Sequence, residues 1–162
     1  MAESAAAKVK SIFIYPIKPC RGIYVSEAPL FSTGFRWDRQ WVVVSSKARP
    51  CTQRVDPKLA LVEVELPQDA FAVGWKPNKG SHLVLRAPGM DELKVSLCRP
   101  SQICEGVSVW EWSGLALDEG DEASKWFTNY LGKPSWLVCF NEGNNNLFIH
   151  QLVFRVMFLR QI

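Results

Sequence analysis

Long apolar runs are missing from this 162-residue chain. No uninterrupted apolar stretch reaches roughly 18 residues, so no membrane-spanning helix is predicted. Histidine is scarce: His82 and His150 are the only two, and they have no ligand spacing with the cysteines. No GxGxxG, P-loop, GxSxG or HExxH pattern is present, which removes the common signals for dinucleotide binding, nucleotide hydrolysis, serine hydrolysis and zinc proteolysis. No Lys/Arg block or basic helix stands out and the net charge is only +3, so nucleic-acid binding is not indicated. The five cysteines, Cys20, Cys51, Cys98, Cys104 and Cys139, form no CxxC pair, and their odd number argues for reduced thiols. Cys98 and Cys104 could approach across a turn, but a zinc site there lacks further ligands. The stretch from Met1 to Lys10 is Ala-rich with Glu3, unlike a secretory leader or an Arg/Ser-rich presequence.

What is present fits one soluble globular domain. The apolar fraction is 48% and the charged fraction 22%, which is enough for a core and too little charge for disorder. Branched and aromatic residues from Val9 to Ile17 predict a strand closed by Pro16. Trp41-Val42-Val43-Val44 reads as a buried strand, and Leu59 to Leu66 alternates in part. Further short strands are predicted over residues 70–74, 82–86, 92–97, 107–112 and 135–140. Turn clusters at Pro77-Asn78-Lys79-Gly80 and Pro88-Gly89-Met90-Asp91 separate three of them. One amphipathic helix is predicted near residues 121–131: acidic Asp121 and Glu122 open it, Ala123, Trp126, Phe127, Tyr130 and Leu131 share a face, and Gly132 and Pro134 end it. The fold class is therefore mainly β (α+β): a small β-barrel or sandwich of short strands with a helix over one opening. Residues 142–162 break the rhythm. A polar run through Asn144-Asn145-Asn146 leads into an apolar tail interrupted by His150, Gln151, Arg155 and Arg160, which is too short and too charged to span a bilayer.

Two cations carry the functional signal. Lys18 lies in Tyr15-Pro16-Ile17-Lys18-Pro19-Cys20, and Arg39 lies in Gly34-Phe35-Arg36-Trp37-Asp38-Arg39-Gln40-Trp41. Each stands beside a strand-like run and a backbone-bending residue, an arrangement that suits an anion such as phosphate. Two unrelated surface cations would give the same spacing. Asp38 reads as a general base or, more simply, as a turn cap paired with its neighbour. Arg54 in Thr52-Gln53-Arg54 is either a cleft residue or a surface cation. Trp37 and Trp41 flank the cation motif and could wall a planar ligand. No defensible catalytic triad and no metal-ligand set is found.

These stretches, with Pro57-Lys58-Leu59-Ala60, Trp110-Glu111-Trp112, Asp118 to Glu122 and Leu131-Gly132-Lys133-Pro134, resemble the N-terminal β-barrel domain of MOSC-domain proteins. Plant relatives of the mitochondrial amidoxime-reducing component are the most similar. The likeness covers roughly residues 8–141, leaving residues 142–162 as a divergent tail. It implies binding of the pyranopterin molybdenum cofactor, reduction of N-hydroxylated substrates, and electrons from cytochrome b5 and its reductase. It also implies cofactor contacts from Lys18 and Arg39, with Pro19 at the position of a third contact; Arg54 and Trp37 stay candidates for the cleft on their own sequence context. The family commonly has Ser where this chain has Pro19, which offers neither hydroxyl nor N–H. The molybdenum-ligating cysteine of the family lies in a further domain with no counterpart here. The expectation is an N-terminal module, inactive alone and binding the cofactor weakly or not at all. A non-catalytic binding module and a fragment of a cofactor-sulfurase-type protein are the alternatives. The compartment implied is cytoplasmic or mitochondrial.

Overall fold

The computed structural model describes residues 7–32, 34–98, 102–109 and 112–140. For residues 102–109, 112–118 and 140 it describes the backbone only. The predicted tail over 142–162, with Asn144 to Asn146 and His150, lies outside the described residues, as do Trp110 and Glu111.

Strand β6 (Trp41–Ser45) is the axis of the molecule. Its first four residues are all buried, which explains why it reads as a continuous apolar run instead of an alternation. Strand β12 (Ser135–Phe140) pairs antiparallel along one edge, with Leu137 opposite Val43. Strand β2 (Ile17–Lys18) pairs parallel along the other, with Ile17 opposite Trp41 and Lys18 opposite Val42. Beyond β12 come β11 (Trp112–Asp118) and β10 (Gln102–Val109), giving the order β10-β11-β12-β6-β2. A separate antiparallel meander joins β7 (Glu63–Glu65), β8 (His82–Arg86) and β9 (Leu93–Ser96). Two small two-stranded antiparallel sheets complete the set: β1 (Ile12–Ile14) with β3 (Ile23–Val25), and β4 (Leu30–Phe31) with β5 (Gly34–Phe35).

Strands thus dominate, as the sequence predicts. Among the described residues, however, the four sheets do not join into a closed hydrogen-bonded ring. Turns of 3₁₀ helix replace two stretches of predicted strand. Pro57–Leu61 coils because Pro57 has a fixed φ and no N–H, which suits a first helical position, and only Glu63–Glu65 goes on to pair. Gln68–Phe71 coils likewise, with the Ala70 N–H donating to the Pro67 carbonyl and the Ala72 N–H to the Asp69 carbonyl.

Helix α1 (Asp121–Leu131) has the predicted bounds. It buries Ala123, Trp126, Phe127 and Tyr130 on one face. Gly132 ends it at φ +72°, with its N–H on the Thr128 carbonyl. The helix is tied to both sheets: Ser124 Oγ donates to the Ser135 carbonyl in β12, and Trp126 Nε1 donates to the Asp91 carbonyl before β9. Between these layers sits one core containing Ile14, Ile17, Leu59, Leu83, Leu85, Leu93, Phe127 and Leu137.

Candidate anion-binding loops on one edge of β6

The β2 edge of β6 is shared between two segments. β2 covers Trp41 and Val42 and then departs after Lys18. A tight turn after β6, with the Ala48 N–H on the Ser45 carbonyl, brings the chain back so that the Cys51 N–H donates to the Val43 carbonyl at 2.8 Å. A bridge between Val44 and Pro50 seals this return. Consequently the loop after Lys18 and the loop after Cys51 lie side by side. Gln53 Nε2 joins them by donating to the Pro19 carbonyl at 2.6 Å. Lys18 and Pro19, linked by a cis peptide bond, are both half-buried. Arg54, next to Gln53, is exposed.

Arg39 reaches the same edge from the other end. Its N–H donates to the Tyr15 carbonyl at 2.7 Å and the Trp41 N–H donates to the Pro16 carbonyl at 3.0 Å, continuing the parallel ladder upstream of β2. Arg39 is therefore level with Tyr15, and Lys18 is level with Val42. The offset of three residues puts the two backbones about 10 Å apart along the strand. Arg39 has φ +55° and Trp37 φ +68°, both in the left-handed region that L-residues enter at a cost of about 1–2 kcal/mol. Side-chain bonds hold this turn in place. Asp38 Oδ1 accepts the Tyr15 N–H at 2.8 Å, and its Oδ2 accepts from Arg39 Nη1. Asp38 is thus a turn cap and ion-pair partner. The Arg39 guanidinium also lies over the Tyr15 ring at 6.0 Å.

Trp37, which the sequence offers either as core packing or as a cleft wall, is a core residue with 6% exposure. Its ring stacks on Trp41 at 6.2 Å and meets Trp75 edge-on at 5.9 Å, while its indole N–H donates to the Ala70 carbonyl. Arg36 lies 5.1 Å from the Trp37 ring and 5.5 Å from that of Trp75. This packing pins the 36–39 turn to the body. Sequence reasoning missed both Gln53 and the Arg36 stack, because each depends on contacts more than thirty positions away.

A phosphate held at these loops, such as that of a pterin cofactor, would draw on Lys18, Arg39 and Arg54 for charge and donors. The thiols beside them do not fit a metal. Cys20 and Cys51 are both buried, and burial pushes each thiol up, with each further opposed by a neighbouring acidic group: Cys51 for Cys20, Asp56 for Cys51. Both are held as neutral thiols, whereas metal ligation calls for thiolate. A shallow depression of about 260 Å³ lies elsewhere, on the β7–β9 meander, lined by Glu65, Gln68, His82 and Lys94 among others. It includes neither Lys18 nor Arg39. No helix among the described residues is long and apolar enough to cross a membrane.

Comparison with known proteins bears on the same segments. Mitochondrial amidoxime reducing component 2 of Bos taurus is 33% identical over 145 residues, covering 84% of this chain, and its Homo sapiens counterpart is 32% identical over 141 residues. Molybdenum cofactor sulfurase of Bos taurus is 29% identical over 135 residues, covering 80% of this chain. The chain spans 38% of the length of those amidoxime reducing components and 14% of that sulfurase. A solution structure of a Bordetella bronchiseptica protein shares the fold, with a TM-score of 0.50 and 24% identity over 70% of this chain and 85% of the other. The model of the MOSC N-terminal beta barrel domain matches residues 6–134, and the chain belongs to that family.

Proposed function

We propose that this chain is the N-terminal, cofactor-side module of a molybdenum-cofactor oxidoreductase that reduces N-hydroxylated compounds. The observation that supports it most is the alignment of Lys18 and Arg39 along one edge of β6 in a chain of this family. In this reading the two cations anchor the phosphate of the pterin, Pro19 shapes the loop between them and Cys20, and Arg54 adds charge at the rim. The cofactor, when bound, supplies the redox chemistry. The metal's sulfur ligand comes from outside residues 1–162, so the module alone turns over little substrate. Cytochrome b5 and its reductase are the electron source in this reading, and its compartment is the mitochondrion. The sulfurase relatives support a second reading, in which the same loops hold the same cofactor without amidoxime reduction.

The test is to purify residues 1–162, measure bound molybdenum and pterin, and assay benzamidoxime reduction with the cytochrome b5 chain. Weak pterin binding that disappears in Lys18→Ala and Arg39→Ala, with negligible turnover, is the expected result. Stoichiometric molybdenum with turnover would refute the dependence on an outside ligand. Pterin binding that survives both substitutions removes the anchor roles. A chain that binds no cofactor under any condition is an interaction module instead.

A further inference from the structure

One contact at the paired loops is assigned no role by motif or family. The Gln53 amide donates to the Pro19 carbonyl across 34 sequence positions. Proline has no N–H, so the carbonyl is the only main-chain group by which residue 19 can be held. The neighbouring main-chain bonds begin at the next residues, with the Cys20 N–H on the Ile17 carbonyl at 2.8 Å and the Arg21 N–H on the Val62 carbonyl at 3.0 Å. Gln53 is itself well supported. The Val55 and Asp56 N–H groups both donate to the Thr52 carbonyl, closing a turn around it. Lys133 Nζ donates to Asp56 at 2.7 Å, Lys58 Nζ donates to the Tyr130 carbonyl at 2.5 Å, and the Tyr130 hydroxyl donates to the Lys58 carbonyl at 2.7 Å. The Gln53 turn is thereby fixed to the end of α1. Among the described residues Arg54 has no ion-pair partner, so its charge is available beside the clamp.

We propose that Gln53 is a positioning residue that fixes the Lys18–Pro19 loop, so that Lys18 and Arg54 present their charges to one phosphate monoester. This rests on the anchor reading above and adds to it a residue that carries no charge and touches no ligand. Phenyl phosphate serves as the probe, titrated into residues 1–162 and followed by amide NMR at several salt concentrations. Gln53→Met keeps the side-chain length and removes the donor. It is expected to weaken binding about 3- to 10-fold, the range for one hydrogen bond. The dependence of affinity on salt should stay as in the parent chain, since no charge is lost. Gln53→Met should also shift the Cys20 and Arg21 amides in the ligand-free protein. Lys18→Ala, in contrast, should lower both the affinity and its salt dependence. Loss in Lys18→Ala with parent-like affinity in Gln53→Met overturns the positioning role and leaves the anchors standing. Unchanged Cys20 and Arg21 amides in Gln53→Met overturn it too, whatever the affinity. Absence of phenyl phosphate binding in the parent chain overturns both readings together.

Discussion

Asp38 shows how one side chain can stabilise a costly turn. It receives the Tyr15 N–H on one oxygen and the Arg39 guanidinium on the other, in a segment with two non-glycine residues at positive φ. Asp38→Ala leaves a main-chain donor and a partly buried cation without their partner. A loss of about 1–3 kcal/mol is expected, read as a lower midpoint in urea denaturation. Asp38→Asn keeps an acceptor for Tyr15 and should recover part of it. Gly22 acts at the same scale by what it lacks, since a Cβ there would stand 2.8 Å from the Tyr15 ring. Tyr15 is 40% exposed and can swing aside, but doing so removes the surface under the Arg39 guanidinium. Gly22→Ala is therefore expected to perturb the Arg39 side-chain NMR signals more than the melting temperature. The segments around Lys18 and Arg39 each stand out locally in the sequence, but their meeting on one edge of β6 does not, because it depends on the pairing of Ile17 with Trp41. The packing of Trp37 was not legible, because its partners Ala70 and Trp75 are separated from it by more than thirty residues.

Helix α1 was readable in full, since dipole charges, apolar spacing and a terminal glycine all agree locally. Two substitutions separate its contributions. Phe127→Ala opens a cavity under the helix where the side chain is fully buried, and about 3–5 kcal/mol should be lost. Gly132→Ala meets no neighbouring atom, so only the left-handed backbone penalises it, by about 1 kcal/mol in the same denaturation experiment. The elements that misled were the 3₁₀ turns. Val62, Val64 and Leu66 alternate as a strand should, yet Pro57 coils the chain ahead of them, and alternation over so few residues does not reveal where pairing starts. Strand pairing across β6 was equally hidden, because it joins residues 17, 41, 51 and 137, which no local pattern connects.

At the scale of the molecule, three buried acids from different elements influence one another: Cys20 after β2, Cys51 after the β6 turn, and Tyr130 on α1. Burial is the first cause raising each, and Cys20 further opposes ionisation of Tyr130. A raised value means the folded state keeps its proton where the unfolded state has lost it. Stability is therefore complete below the ordinary thiol value of 9.0 and declines as pH rises past it. Each such group contributes a slope of roughly 1.4 kcal/mol per pH unit between its two values. Urea midpoints measured through the alkaline range should fall, and Cys20→Ala should flatten that fall. The same thiols should resist aromatic disulfide reagents until the protein unfolds. The shared edge of β6 has a separate implication for how this chain tolerates changes of length. Extra residues at the 46–48 bend leave both cations where they are, because the rung at Val43 and Cys51 resets the register behind them. A single residue added between Lys18 and Arg21 has nowhere to go, being bracketed by ties to Ile17, Gln53 and Val62, so the tolerance for insertion ends at the cation.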